Sequence, residues 1–122
     1  MSYDKSLFGS IKYAFEGIWH ALKNNRNLRI AFFSAVLVIV FGLYFQVTTI
    51  EMIILLITIL LVILAEMINT SLEEMVDLIT AERKIEAKIA KDVAAGMVLI
   101  AVLGSLVLGI YVFAPYILKL FN

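Results

Sequence analysis

Apolar and polar residues alternate with a helical period near the start of the chain. Within residues 4–23 the apolar side chains recur every three or four positions, which predicts an amphipathic helix. These apolar residues are Leu7, Phe8, Ile11, Phe15, Ile18, Trp19 and Leu22. The lysines lie largely on the opposite face, a pattern typical of a helix in the plane of a membrane interface. A helix that packs on a protein partner has the same pattern, so this alternative stays open.

Two uncharged stretches, residues 30–45 and 93–113, are predicted to form the first and third membrane spans. The third stretch is 21 residues long, which is sufficient for a helix that crosses a bilayer. A charged segment at 81–91 precedes it, and Pro115 follows it at a position where the helix can stop.

The second membrane helix is predicted over residues 48–79. Thr48 and Glu51 have the spacing of a capping box, so this helix should begin there. The stretch from 48 to 65 covers about 27 Å of a hydrocarbon core about 30 Å thick. Glu66 therefore falls at the inner edge of the hydrocarbon, and the helix continues beyond the membrane.

The composition supports an all-α membrane protein, with one amphipathic surface helix, three transmembrane helices and a single domain over residues 1–122. Hydrophobic residues make up 63% of the chain and charged residues 16%, with a mean hydropathy of +1.02. Soluble domains contain about 25% charged residues. Lipid must therefore be the solvent for much of this chain.

The distribution of lysine and arginine predicts the orientation of the spans. Five of these cations precede the first span, four lie between the second and third spans, and the loop between the first two spans has none. The positive-inside rule then places the N-terminus and the second loop in the cytoplasm of a multi-pass protein of the inner (plasma) membrane.

Several kinds of chemistry are excluded by residue content. The chain has no cysteine, so it has no disulfide, thiolate nucleophile or thiolate metal site. A single histidine, His20, cannot form a multi-histidine metal cluster. The formal net charge is zero, and no strong field favours nucleic acid as a partner. The sequence has no GxxxxGK phosphate-binding loop.

Polar residues are concentrated where the second membrane helix leaves the hydrocarbon. Glu66, Asn69, Glu73 and Asp77 are three, four and four positions apart, which places them on one helical face. A carboxylate costs about 2.5–3.5 kcal/mol at the centre of a span and less near its edge. A metal ion, a lipid hydroxyl or a cation from a partner chain could each offset this cost.

Phosphoryl transfer is one reaction that such a polar face can support. It needs a base for the attacking hydroxyl, carboxylates for Mg²⁺ and cations near the phosphates. Two other interpretations stay open at this point. Glu66 and Asn69 could only join neighbouring helices through hydrogen bonds, or Glu66 could be the proton or ion site of a small transporter subunit.

Two motifs resemble those of the prokaryotic diacylglycerol kinase and undecaprenol kinase family. The segment AEMINTSLEEMVDLIT carries the pattern E-x-x-N-[ST]-x-x-E-x-x-x-D from Glu66 to Asp77. The segment AKIAKDVAAGMVLI carries A-K-D-x-x-[AS] from Ala90 to Ala95. The resemblance implies a homotrimer with composite active sites at the subunit interfaces. It also implies transfer of the ATP γ-phosphate to a membrane lipid hydroxyl, with Mg²⁺ as the metal.

The resemblance further implies roles for individual residues. Glu66 corresponds to the general base, Asn69 to its polar partner in catalysis and Glu73 to a Mg²⁺ ligand. Glu66 and Ala95 are expected to contact the lipid substrate. The residues expected to bind ATP are Tyr13, Glu73, Glu82, Lys84, Lys91 and Asp92.

One position departs from the family pattern. Asn25, in NNRNLRIA, occupies the place of a second metal-binding carboxylate, which we expect opposite Glu73. An amide oxygen can bind Mg²⁺ but brings no charge, so the metal is held more weakly or another group compensates. The R-N-L-R-I run favours undecaprenol as the lipid. Diacylglycerol, giving phosphatidic acid, is the alternative substrate, and a catalytically impaired membrane scaffold is the alternative function.

Overall fold

The computed structural model describes residue 3 and residues 5–122. Asp4, the first residue of the predicted surface helix, lies outside the described residues. The described residues form four α-helices connected by short segments: α1 (Leu7–Asn24), α2 (Arg26–Tyr44), α3 (Thr49–Ile79) and α4 (Ile85–Leu120). Helices α2, α3 and α4 are long and apolar enough to cross a membrane, as predicted.

Helix α1 is amphipathic, as its sequence pattern predicts. Its first turn is capped by Ser6, whose side chain accepts a hydrogen bond from the Gly9 N–H at 3.0 Å. The apolar side chains of Phe8, Phe15 and Trp19 are exposed. An exposed apolar face of this kind suits a helix that lies against lipid at a membrane surface.

Helix α2 begins at Arg26, four residues before the predicted span at 30–45. The added turn contains Arg26 and Arg29, which belong to the helix although they are too polar for the hydrocarbon. Arg29 Nη1 donates to the carbonyls of Leu22 (2.8 Å) and Lys23 (2.9 Å), at the carboxyl end of α1. A cation is favourable there because the last carbonyls of a helix lack intrahelical donors. Arg29 thereby ties α1 to α2.

Helix α3 starts where the capping box predicts. The Thr48 side chain accepts from the Glu51 N–H (3.2 Å), and the Glu51 carboxylate accepts from the Thr48 N–H (2.9 Å). Tyr116 of α4 donates its hydroxyl hydrogen to the same carboxylate at 2.5 Å. The start of α3 is therefore joined to the last turns of α4.

The expectation that the third membrane helix stops at Pro115 is wrong. Helix α4 continues through Pro115 to Leu120. A proline removes one backbone donor, and membrane helices tolerate this loss when neighbouring groups and local adjustment satisfy the freed carbonyl. The contact between Tyr116 and Glu51 holds the helix against α3 at this point. At its other end, α4 begins at Ile85, so the charged segment at 81–91 is helical only in its second part.

Helix α3 lies between α2 and α4 and packs against both. Leu28 of α2 and Leu55 of α3 are the largest fully buried side chains of the described chain. Gly42 allows close approach of α2 to α3, because a Cβ added there would lie 2.7 Å from the Met52 side chain. Most other apolar side chains of the three long helices are exposed, as expected where lipid or another subunit covers them.

Candidate functional site

The polar face of α3 changes from buried to exposed within three helical turns. Glu66 and Asn69 are buried, with 5% and 9% of their surfaces exposed. Glu73 and Asp77, farther along the helix, are exposed. Asn69 Nδ2 donates to Glu73 Oε1 at 3.2 Å, so these two side chains are neighbours on successive turns. The helical spacing therefore brings the predicted base, its polar partner and the predicted metal ligand onto one surface.

Asn25 contacts this face from the junction between α1 and α2. Its Nδ2 donates to Thr70 Oγ1 at 2.5 Å and to Glu66 Oε2 at 3.5 Å. The Thr70 hydroxyl in turn donates to the Glu66 carbonyl at 3.0 Å. Sequence reasoning assigned no role to Thr70, although the [ST] position of the motif pointed to it. These contacts place Asn25 next to Glu66 and Thr70.

Asn69 carries the polar atom that most needs an external partner. Its Oδ1 is buried and has no hydrogen-bond partner among the described residues. Leaving a buried acceptor unsatisfied costs about 1–3 kcal/mol. Because Nδ2 of the same side chain is engaged by Glu73, the amide is oriented with Oδ1 available to a bound donor or cation.

The oxygen atoms near Asn69 suit a Mg²⁺ ion that arrives with phosphate. Within residues 5–122, no group of three or more histidine, cysteine, aspartate or glutamate side chains is close enough to hold a metal by itself. Mg²⁺ commonly uses one or two carboxylates and completes its shell with water and substrate phosphates. The Glu73 carboxylate and the unsatisfied Asn69 Oδ1 fit this kind of shared coordination.

A charged cavity of about 550 Å³ lies at the turn between α3 and α4. Four of the residues predicted to bind ATP line it together: Glu82, Lys84, Lys91 and Asp92. Arg83, between Glu82 and Lys84, lines the same cavity. Asp77 and Lys88 also line it, although sequence reasoning assigned neither of them to the nucleotide. The signal for Lys88 was the concentration of cations near this turn, and the signal for Asp77 was its place at the end of the first motif.

Ion pairs cross the charged cavity. Lys91 Nζ lies 2.7 Å from Asp77 Oδ1 and joins α4 to α3, while Lys88 Nζ lies 2.6 Å from Asp92 Oδ2 within α4. The four side chains are substantially exposed, so water weakens these pairs. Phosphate oxygens can therefore compete with the carboxylates for the lysines.

Tyr13 and Ala95 lie apart from the charged cavity. Tyr13 belongs to α1, where its ring packs edge-on against Tyr3 with the centroids 4.7 Å apart, and it lines neither described cavity. Ala95 is an exposed residue of α4, one turn beyond Lys91. The predicted site residues thus form two groups, one on the polar face of α3 and one in the charged cavity, and Tyr13 and Ala95 belong to neither.

An apolar groove of about 780 Å³ runs along α2, α3 and α4 and reaches Glu66. Its hydroxyl groups are largely turned to the backbone: Thr58 Oγ1 donates to the Leu55 carbonyl at 2.7 Å. Ser105 Oγ lies within hydrogen-bond distance of the carbonyls of Ala101 (2.8 Å) and Thr58 (3.3 Å). The buried carboxylate therefore separates an apolar groove from the polar end of α3. Sequence reasoning did not identify this groove, because it is formed between helices.

Sequence comparison with known proteins finds relatives that match most of the chain. The profile of the prokaryotic diacylglycerol kinase family matches residues 12–113. A diacylglycerol kinase of Synechocystis sp. is 38% identical over 116 residues, which are 94% of this chain and 66% of that protein. An undecaprenol kinase of Bacillus subtilis is 34% identical over 108 residues, 88% of each chain. A diacylglycerol kinase of Haemophilus influenzae is 35% identical over 95 residues, 78% of this chain and 80% of that protein.

Proposed function

This chain belongs to the prokaryotic diacylglycerol kinase family, and from this premise we propose that it is a membrane lipid kinase. It transfers the γ-phosphate of ATP to the hydroxyl group of a lipid alcohol. The observation that carries the proposal is the position of Glu66, a buried carboxylate where the apolar groove meets the polar end of α3. A lipid chain in the groove would present its hydroxyl group at this carboxylate.

Glu66 acts as the general base. The lipid hydroxyl donates to the Glu66 carboxylate, and its O–H bond breaks as the proton moves to Glu66. The hydroxyl oxygen forms a bond to the γ-phosphorus, and the bond between that phosphorus and the bridging oxygen breaks to release ADP. Asn69 assists as the polar partner of the base, and its Nδ2 donates to Glu73 and keeps that carboxylate in place.

The cations of the α3–α4 turn bind the nucleotide. Lys84 and Lys91 face the phosphates, and the carboxylates of Glu82 and Asp92 hold the cationic side chains and the nucleotide in place. Tyr13 contributes from the surface helix. Because Tyr13 lies outside both cavities of its own chain, a neighbouring subunit's site is the position where it would act.

Glu73 and Asn69 would hold the metal, and Mg²⁺ when bound there would neutralise charge on the ATP phosphates. Asn25 stands at the second ligand position of the family pattern. Its Oδ1 already accepts from the Leu28 N–H at 3.2 Å. This capping hydrogen bond turns the Asn25 oxygen toward α2.

Undecaprenol is the proposed lipid, and undecaprenyl phosphate the product. The match to the undecaprenol kinase of Bacillus subtilis, over 88% of each chain, supports this choice. The nearly apolar wall beyond Glu66 also suits an alcohol whose hydrocarbon begins beside its hydroxyl group. Diacylglycerol, which carries two ester groups near its hydroxyl, is the second candidate because two relatives are diacylglycerol kinases.

The proposed assembly is a homotrimer in the inner (plasma) membrane, with the N-terminus and the α3–α4 turn in the cytoplasm. The charge distribution supports this orientation. The exposed apolar faces of the long helices leave surface for contacts between subunits. In this arrangement the charged cavity opens to the compartment that contains ATP.

A transfer assay tests the proposed function. The full chain in detergent micelles receives ATP labelled at the γ-phosphate, with undecaprenol or diacylglycerol supplied side by side. We expect labelled lipid with undecaprenol at a higher rate than with diacylglycerol. Absence of labelled lipid with both alcohols would favour the scaffold function, for which the missing carboxylate at position 25 is the supporting observation.

A further inference from the structure

We propose that Asn25 is a positioning residue for Glu66, so that its side-chain amide serves the base and not the metal ion. This inference rests on the proposed function, because it takes Glu66 as the group that accepts the lipid proton. It concerns the position at which this chain has an amide where the family pattern has a carboxylate.

The two polar atoms of the Asn25 side chain have separate tasks. Oδ1 accepts from the Leu28 N–H at 3.2 Å and thereby caps the first turn of α2. Nδ2 donates to Thr70 and Glu66. The oxygen faces α2 in this cap, and the atom that Asn25 presents to α3 is the donor Nδ2. A donor stabilises a carboxylate and offers nothing to a cation.

The backbone holds the Asn25 amide in this orientation. Asn25 is also the C-cap of α1, where its N–H donates to the Ala21 carbonyl at 2.8 Å. Arg29 joins the same two helices from the other side of the junction through the carbonyls of Leu22 and Lys23. With one residue capping both helices, the side chain has little freedom to turn its oxygen toward α3.

Thr70 extends the contact between Asn25 and Glu66. Its hydroxyl accepts from Asn25 Nδ2 and donates to the Glu66 backbone carbonyl one turn earlier. Asn25 therefore contacts Glu66 directly at Oε2 and indirectly through its backbone. These contacts hold one carboxylate oxygen and leave Oε1 to accept the proton of the lipid hydroxyl.

An amide suits position 25 because a carboxylate would bring a negative charge there. A carboxylate there would place a second negative charge within hydrogen-bond distance of Glu66, where only a cation between the two would relieve the repulsion. The amide replaces that repulsion with a donated hydrogen bond. Glu66 can thus be held in place without a metal ion shared with residue 25.

Two substitutions of Asn25 distinguish its role as a hydrogen-bond donor to Glu66 from its role as the cap of α2. Asn25→Asp keeps the shape and the capping oxygen but removes both N–H donors. Asn25→Ser keeps a good capping residue but is too short to reach Glu66. Asn24→Asp is the matched control, because it makes the same change in charge one residue earlier. The Asn24 amide is exposed and donates to the His20 carbonyl at 2.8 Å.

The test uses the full chain in detergent micelles. For each variant we would measure kcat and KM for the lipid and for ATP, and the Mg²⁺ concentration that gives half the maximal rate. Mn²⁺ binding, followed by electron paramagnetic resonance without lipid, reports on the metal site independently of turnover. Thermal unfolding shows whether each variant keeps its fold.

Both Asn25 variants should lower kcat by about threefold to tenfold, because a long hydrogen bond to a charged group, 3.5 Å between Asn25 Nδ2 and Glu66 Oε2, is lost. In Asn25→Ser, the KM for ATP, the Mg²⁺ requirement and Mn²⁺ binding should stay within about twofold of wild type. The control should match wild type in every measurement. A lower kcat with unchanged metal affinity is not expected of a residue that only stabilises the fold.

The inference is overturned if Asn25→Ser binds Mn²⁺ less tightly, needs more Mg²⁺ or keeps the wild-type kcat. Those results would make residue 25 a metal ligand or a bystander. A wild-type protein that phosphorylates neither alcohol would contradict the proposed function instead. In that case Mn²⁺ binding still decides about residue 25: weaker binding by Asn25→Ser contradicts the inference, and unchanged binding supports its statement that the amide does not serve the metal.

Discussion

The apolar stretch of α3 has a glutamate at each of its two ends, Glu51 and Glu66, and the two glutamates have different surroundings. Glu51 accepts from the Thr48 N–H and the Tyr116 hydroxyl, so its carboxylate is well satisfied by groups of the same chain. Glu66 is buried at the other end, where the neighbouring Asn69 Oδ1 has no partner among the described residues.

This difference separates a structural polar cluster from a candidate site. The polar groups around Glu51 hold α3 and α4 together and need nothing from outside the chain. The groups around Glu66 leave a buried acceptor that becomes satisfied only when something binds. An incompletely satisfied polar cluster at the end of an apolar groove is therefore the better indication of function.

The largest expected effect of a substitution is at Glu66. Glu66→Gln keeps the size of the side chain and removes the proton acceptor, so phosphoryl transfer should fall by about 10²–10⁴-fold. Glu51→Gln is the matched control, because Glu51 lies at the opposite end of the apolar stretch of α3, and it should leave the rate near wild type. Labelled-phosphate transfer from ATP to undecaprenol measures both. Near-normal turnover by Glu66→Gln would remove Glu66 from the catalytic role.

Asn69→Leu should have opposite effects on activity and stability. The leucine removes the buried acceptor that has no partner, which should stabilise the ligand-free protein by up to about 1–3 kcal/mol. It also removes the oxygen that a ligand would need, so activity should fall at least about tenfold. Unfolding in detergent and the transfer assay test the two effects. A variant that loses stability would instead make Asn69 a structural residue.

Tyr116→Phe tests the structural role of the polar cluster around Glu51. It removes the hydroxyl that donates to Glu51, so the midpoint of thermal unfolding should fall slightly while kcat and KM stay at their wild-type values. Tyr111→Phe, on an exposed residue of α4, is a control for loss of a tyrosine hydroxyl. If Tyr116→Phe impaired turnover as much as Glu66→Gln, the distinction between the two ends would fail.

The two ends of α3 should also lie on opposite sides of the membrane. A cysteine at Val47 should react with a membrane-impermeant thiol reagent added outside cells, and one at Ala81 should not, because arginine and lysine mark the cytoplasmic side. Because the native chain has no cysteine, unsubstituted protein is the background control. The reverse labelling would place Glu66 away from ATP.

Local patterns in the sequence were sufficient to predict most of the helices. The apolar stretches predicted three membrane helices, and the Thr48–Glu51 spacing predicted the start of α3. The spacing of Glu66, Asn69 and Glu73 also predicted their common face. Each of these inferences depends on residues within a few turns of one another, where helical geometry alone determines which side chains meet.

By itself, then, the sequence determined the class of the protein, its spans and the polar face of α3. The tertiary structure decided what that face contacts: Asn25 approaches Glu66 and Thr70 from 41 and 45 residues away. It also decided that α4 continues through Pro115 and that three helices enclose an apolar groove ending at Glu66. The reason is that contacts between helices depend on how their surfaces pack, and the residues of one helix do not specify which part of another helix they will meet.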